Sequence, residues 1–363
     1  MPDHSQLETF AAGVETAVDV AQIERQLHEL WQLAAESEKD PSQRQITRDC
    51  LFNFVVLCET AAVVAHASEV ISTLTSRHPC RAIVLSIGSD SARSELSASI
   101  SAHCHLAGTG QKQVCCEQIA IHATGESVAR LGSAVLPLLE SDLPTIVWWP
   151  GGFLERIELF RRLVAMADRV ICDTSAWIDP QSQSAALARV ITEYPRCSFA
   201  DLSWTRLGLW RKFAAEFFDE PHCRAELTRI RAVNIAHGHG PGAGWRALLY
   251  GSWIAAQLRW PVAEAKARIR LSERDDRDAT SVGIISVAIK TTDATFSIRK
   301  NHGESTASAA VEMPNACGLP RKRAFWPSDD ASLLSQELDH STRDVAYEKA
   351  LATAVAWLED RSR

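Results

Sequence analysis

The chain has 363 residues, is 46% hydrophobic and 23% charged, and carries a formal net charge of −7. Such a balance belongs to an ordinary folded protein, long enough for two cores because single cores stop growing at about 250–300 residues. It carries no dense Lys/Arg stripe for nucleic acid and no roughly 18-residue apolar run for a membrane, and Met1-Pro-Asp-His-Ser5 does not read as a secretory leader, so a cytoplasmic location is expected.

In chain order, residues 15–38 space Val20, Ile23, Leu27, Leu30 and Trp31 as a helix, ended by Asp40-Pro41-Ser42. A strand is expected around Leu51–Leu57, a helix over Ala61–Arg77, and a break at His78-Pro79. Ala82–Ile87 reads as a buried strand. Ala98–Leu106 and Gln113–His122 read as an antiparallel hairpin joined through Gly108-Thr-Gly110. Thr124 is placed to cap the next helix, with Glu126 in its first turn and Val128, Leu131, Val135 and Leu138 on its apolar face.

Leu143-Pro-Thr-Ile-Val-Trp-Trp-Pro-Gly-Gly152 is an apolar run stopped by Pro150-Gly-Gly, and Arg169–Asp173 follows one helix later. Strand, helix, strand at this spacing predicts parallel neighbours, whose carboxyl ends carry Trp148, Trp149, Gly151, Gly152 and Asp173-Thr-Ser175. Successive strand residues face opposite ways, so Trp148 and Trp149 are expected to differ in burial. Further on come a helix over Gln183–Glu193, a helix capped by Asp201 and running to about Phe218, a strand over Ile230–Ala236 and a helix over Trp245–Leu258. Ala267–Leu271, Gly283–Lys290, Ala294–Arg299 and Ala307–Met313 alternate like a β-meander, and Thr342–Glu359 closes as a helix.

These elements predict an α/β fold. An N-terminal mixed, mainly parallel sheet flanked by helices is followed by an α+β C-terminal domain with an antiparallel meander. The expected divisions are an N-terminal helix or extension over 1–40, the α/β domain over 41–195 and the C-terminal domain over 196–363.

Candidate chemistry is sparse. His103-Cys-His105 with Cys115-Cys116 matches no standard zinc spacing and reads as ordinary hairpin residues. Ten cysteines without a C-x-x-C pair read as buried free thiols. His237-Gly-His-Gly-Pro-Gly-Ala-Gly244 follows a strand and precedes a helix, the context of a phosphate loop, yet it fits neither G-x-G-x-x-G nor a loop ending in Gly-Lys-Ser/Thr. No Gly-x-Ser-x-Gly elbow or His-Glu-x-x-His helix occurs, and Asp173-Thr-Ser175 is expected to cap the turn that follows its strand. No catalytic, cofactor-binding or metal-ligating residue is assigned. Eleven tryptophans, several beside arginines, leave large contact groups instead.

The set His78-Pro-Cys-Arg-Ala-Ile-Val84, Leu143-Pro-Thr-Ile-Val-Trp-Trp-Pro150 and Asp201-Leu-Ser-Trp-Thr-Arg-Leu-Gly-Leu-Trp-Arg211, closed by Tyr347-Glu-Lys-Ala-Leu351, resembles the OpcA family of glucose-6-phosphate dehydrogenase assembly proteins. The resemblance spans from about residue 45 to the C-terminus, and the Gly-rich 237–244 segment departs from it. It implies a protein without catalytic residues that binds glucose-6-phosphate dehydrogenase, promotes its active oligomer and raises its affinity for glucose 6-phosphate. Trp148, Trp149, Asp201, Trp204, Arg206, Trp210 and Arg211 are the candidate partner interface. The alternative is an enzyme or sensor that binds a sugar phosphate or nucleotide at the strand-end rim.

Overall fold

The computed structural model describes residues 7–17, 20–36, 45–48, 50–88, 93–107, 112–153, 156–274, 283–314, 316–317, 320–325, 329–340 and 342–360. These form two compact units, one of Met1–Cys172, Tyr194–Phe199 and Leu334–Ser341, the other of Asp173–Glu193, Ala200–Leu333 and Thr342–Arg363.

The first run of elements is β1 (Leu7–Ala17), α1 (Val20–Glu36), β2 (Gln45–Arg48), β3 (Phe52–Cys58), α2 (Ala61–Leu74) and β4 (Cys80–Ile87). The antiparallel pair β5 (Leu96–Ala107) and β6 (Lys112–Ala123) comes next, then α3 (Leu131–Val135), β7 (Thr145–Trp149), α4 (Ile157–Met166) and β8 (Arg169–Cys172). After α5 (Pro180–Glu193), the short strand β9 (Ser198–Asp201) ends a sheet ordered β1-β5-β6-β4-β3-β7-β8-β9, with β2 on β6. Its stretch β6-β4-β3-β7-β8-β9 follows the 3-2-1-4-5-6 order of dinucleotide-binding sheets. The pairs β4–β6, β3–β4, β3–β7 and β7–β8 are parallel.

Every residue of β3 is buried, as a strand covered on both faces requires. The same cover takes in both tryptophans of β7, which are fully buried rather than unlike. Trp148 stacks on Phe54 at 6.2 Å and meets His66 of α2, while Trp149 meets Phe160 of α4 edge-on at 5.1 Å. Opposite faces of the strand therefore each have a helix over them.

Two local expectations change. The segment read as a helix from residue 15 is strand through Ala17, and α1 begins only at Val20. Thr124 precedes a 3-10 turn, Gly125–Arg130, that its side chain does not cap; the hydroxyl instead donates to Arg93 O and accepts from Glu95 N. Gly108–Gly110 lie outside the described residues, as do the side chains of His103, Cys104, His105 and Cys115. Seven described cysteines are free thiols, six of them buried.

The second unit holds α6 (Leu202–Arg206), α7 (Gly208–Phe217), α8 (Pro221–Arg224), β10 (Ala232–His237), α9 (Ala243–Gln257) and α10 (Val262–Arg268). Strands β11 (Ile269–Glu273), β12 (Ile284–Lys290), β13 (Thr295–Lys300), β14 (Thr306–Met313), β15 (Ala316–Cys317) and β16 (Arg321–Ala324) follow. Helix α12 (Val345–Glu359) also belongs to this unit, whereas α11 (Asp330–Leu338) is divided, its residues from Leu334 onward being counted in the first unit. The sheet runs β11-β10-β12-β13-β14-β15, with β16 also on β14. Strands β12, β13 and β14 are the expected meander. Strand β11, read as its first member, instead lies parallel to β10 on the far side, because α9 and α10 form a crossover between them. Val233, Ile235, Val287, Ile289, Phe296 and Ile298 are buried, and α9 and α12 pack on each other. No described helix is long and apolar enough to cross a membrane.

Candidate functional site

In an open α/β sheet, ligands sit beyond the strand ends where the order reverses, here between β3 and β7. The turn after β3 is Cys58-Glu-Thr-Ala-Ala62, with no glycine to let a pyrophosphate approach the backbone. Thr60 Oγ1 already accepts from Val63 N at the start of α2, and the Glu59 carboxylate lies 3.4 Å from where a Gly151 Cβ would sit. An acidic group at a capped helix start repels the phosphates that this topology otherwise receives. The residues present do not fit a dinucleotide there. Trp148 and Trp149 end their strand inside the core, so the rim lacks their rings as contact groups.

At the carboxyl ends of β4 and β6, Ser86 Oγ lies 2.9 Å from His122 Nδ1. The hydroxyl also reaches Ile121 O at 3.3 Å, a bond it can make only as donor, and no carboxylate orients the ring among the described residues. A nucleophile needs its proton directed at the base, so this pair lacks the geometry of an activated serine. Among the described residues no group of three or more His, Cys, Asp or Glu could hold a metal.

The polar centre of the second unit is built on Asp201, fully buried and at the amino end of α6. Its carboxylate accepts from Thr174 N at 3.1 Å, Thr174 Oγ1 at 2.7 Å and Ser203 N at 2.9 Å. Burial, and then the neighbouring Asp173, raise its pKa to about 7, against the pull of those three donors. Asp173 accepts from Ser175 N at 3.0 Å, the turn-capping role its position in the sequence predicts. Arg206, one turn of α6 beyond Asp201, grips both Asp173 oxygens at 3.0 Å and Asp330 at 3.0 Å. Trp245 Nε1 donates to Thr174 Oγ1 at 2.7 Å, and its ring meets Trp177 at 5.3 Å.

The other predicted contact residues serve the same framework. Trp204 Nε1 donates at 2.7 Å to Asp344, whose other oxygen caps α12 through Tyr347 N. Arg211 lies 3.6 Å over the Trp204 ring and donates to Trp204 O. Trp210 is buried against Phe325, and its carbonyl accepts from Tyr250 Oη. Of the seven predicted interface residues, Asp201, Trp148, Trp149, Trp204 and Trp210 are internal, and only Arg206 and Arg211 are half-exposed. Sequence reading located this motif but missed its partners Thr174, Asp330 and Asp344. The caps made by Asp201 and Asp173 were legible, since each has a partner two residues away.

The Gly-rich stretch forms the entry to α9. Gly242 has φ +66°, and a Cβ there would come within 2.7 Å of Ser175 Cα. Gly238 N donates to Gly283 O, Ala243 N to Gly240 O and Arg246 N to Gly242 O. Arg246 is only 3% exposed, its guanidinium folded back so that Nη2 donates to Pro241 O at 3.0 Å. Burial, and then the nearby Arg206, lower its pKa to about 10, while Asp173 and Asp201 oppose the shift from a distance. His239 pairs with Glu273 at 2.6 Å, and His237 Nδ1 lies 2.9 Å from Gly238 O.

Two family models match the chain: the glucose-6-phosphate dehydrogenase subunit N-terminal domain over residues 71–189, and the corresponding C-terminal domain over residues 197–351. The OxPP cycle protein OpcA of Synechocystis is 32% identical over 194 residues, covering 53% of this chain and 40% of that protein. Its namesake in Nostoc punctiforme is 32% identical over 234 residues, covering 62% and 47%. The chain thus spans about half the length of these curated relatives. A solved 3-ketoreductase from Actinomadura kijaniata aligns over 86% of this chain and 97% of its own, at 10% identity and a TM-score of 0.48.

Proposed function

This chain belongs to the OpcA family, whose two domain models together match most of it, and on that premise we propose that it is a non-catalytic binding partner of glucose-6-phosphate dehydrogenase. In this reading it promotes the active oligomer of the dehydrogenase and raises its affinity for glucose 6-phosphate, at the entry to the oxidative pentose phosphate pathway. The family match carries the reading. The acidic, glycine-free turn where a nicotinamide dinucleotide would be expected supports the absence of a hydride-transfer role of its own.

The physical requirement is modest. A partner shifts an equilibrium only by its differential affinity for the two states of its target. A tenfold gain in apparent substrate affinity needs about 1.4 kcal/mol of such preference, within reach of a few desolvated contacts. With the indoles of the Asp201–Arg211 motif internal, the motif serves as a scaffold, and contact falls to Arg206, Arg211 and the surface around them. The test is kinetic. Initial rates of the cognate dehydrogenase over a range of glucose 6-phosphate concentrations should show a lower half-saturation when this protein is added. Superimposable curves would count against the activating role.

A further inference from the structure

Helices cover one side of the sheet in the second unit. On that side Val287, Ile289, Phe296 and Ile298 are buried. Phe296 meets Phe217 and Phe218 at the carboxyl end of α7, at 5.3 and 4.8 Å, and Arg321 and Arg323 of β16 pair with Glu216 of the same helix. A Cβ on Gly251 of α9 would lie 3.3 Å from Ile235 and 3.1 Å from Ile269, so α9 rests on this side too. The alternate positions of each strand face the other way. Register aligns Arg270, Asn234, Ala288, Ser297 and Ala310 in one row across β11, β10, β12, β13 and β14. Arg270 is exposed and the other four are half-buried. The hydrogen bond of Ser297 Oγ to Ala310 O stays within the sheet, and among the described residues no side-chain bond or ring contact ties the row to a helix.

This side does not have the composition of a sheet face made for water alone. Alanine is depleted in strands, and an exposed face ordinarily gains from longer or β-branched side chains that pair across it. Ala288 and Ala310 instead leave the centre low, so that another surface can approach the backbone. Charge surrounds that centre. Arg270, Lys290 and Arg299 are exposed, and no carboxylate of the described residues pairs with them. Lys322 is held by Glu304 at 2.6 Å, which leaves Glu312 as the acidic side chain of the face. The face is thus positive on a chain whose net charge is −7. That sign selects the occupant. Two-fold pairing of this face with itself would set the cations of two copies against each other, and a nucleic acid or anionic membrane meets the negative field of the whole chain. Five strands of about six residues span about 24 by 20 Å, the central part of a standard protein interface. A protein surface bearing carboxylates fits both the shape and the charge.

We propose that the uncovered face of this sheet, centred on Ala288 and bordered by Arg270, Lys290 and Arg299, docks an acidic surface of a protein partner. On the partner reading above, which this inference rests on, that partner is the dehydrogenase. Helix α7, which carries Arg211, lies on the covered side. The open face is therefore a second contact surface, placed to hold a different subunit of the oligomer.

The experiment is a titration of the full chain into its cognate dehydrogenase, followed by sedimentation velocity. Wild type is compared with the double variant Arg270→Glu/Arg299→Glu, which reverses the charge, and with Ala288→Tyr, which raises the centre of the face with a side chain suited to a strand. Urea unfolding of each variant alone checks the fold, and either variant by itself decides the outcome. Both should unfold at the wild-type midpoint and bind the dehydrogenase about tenfold more weakly or worse. Arg270→Lys/Arg299→Lys keeps the charge and should stay within about twofold of wild type. Wild-type affinity in a folded Arg270→Glu/Arg299→Glu or Ala288→Tyr would overturn the proposal and leave the partner reading standing. No binding by the wild type would remove both. Self-association of the wild-type protein alone, abolished by the same substitutions, would overturn the proposal by assigning the face to a second copy.

Discussion

Asp201 gathers three donors into a site from which water is excluded, and its raised pKa has a consequence for stability. The native protein holds a proton on this carboxyl up to about pH 7, whereas the unfolded chain releases it near 3.8. The contribution of the group is therefore full below about pH 4 and is lost as pH rises to about 7, with a limiting slope of about 1.4 kcal/mol per pH unit. Asp201→Asn removes the titration. Urea unfolding across this window should show wild-type stability falling relative to the variant, and parallel profiles would contradict the assignment. Arg206 supports the same centre from one turn further on. Arg206→Ala removes the cation from Asp173 and Asp330, both largely shielded, and should cost about 2–4 kcal/mol, less than the fully buried limit because Arg206 is 19% exposed. A change within about 0.5 kcal/mol would instead show that Arg206 carries no structural load in this centre.

At the scale of elements, strands and helices with a long uniform pattern were legible. The apolar runs of β3, β4, β7 and β8 read as strands, β4 and β7 as buried ones and β7 and β8 as parallel neighbours, and the hairpin β5–β6 and meander β12–β14 read from alternation. Elements held by distant partners were not. Strand β9 has four residues, and the side of β10 on which β11 lies is decided by the crossover of α9 and α10, not by the residues of β11. Trp148 and Trp149 were expected to differ, since local alternation is visible in sequence while the second covering helix is not. The turn into α9 gives a sharp comparison. Gly242→Ala combines φ +66° with a 2.7 Å approach to Ser175 Cα and should cost more than about 2 kcal/mol. Gly303→Ala has φ +69° but no atom within 4 Å, and should cost about 1 kcal/mol. Equal losses in thermal or urea unfolding would show that the close approach plays no part.

For the whole molecule, the motifs that identify the family are mainly internal. The His78–Val84 stretch carries Arg81, 3% exposed and bonded to Glu117, Glu24 and Glu140. The Leu143–Pro150 stretch is β7, and Asp201–Arg211 ties Thr174, Asp330 and Asp344 together. Residues fixed by many partners leave a sequence signature, so the scaffold and its family were readable at once. A binding face depends on which side chains the finished fold leaves exposed, and bonds such as Trp204 to Asp344, 140 residues apart, have no local trace. The most direct measurement is sedimentation velocity of the purified full chain mixed with the cognate glucose-6-phosphate dehydrogenase. The account predicts a new, faster boundary containing both proteins and a dehydrogenase population shifted toward its larger oligomer. Two boundaries that remain those of the separate proteins, at concentrations well above those of the assay, would contradict it.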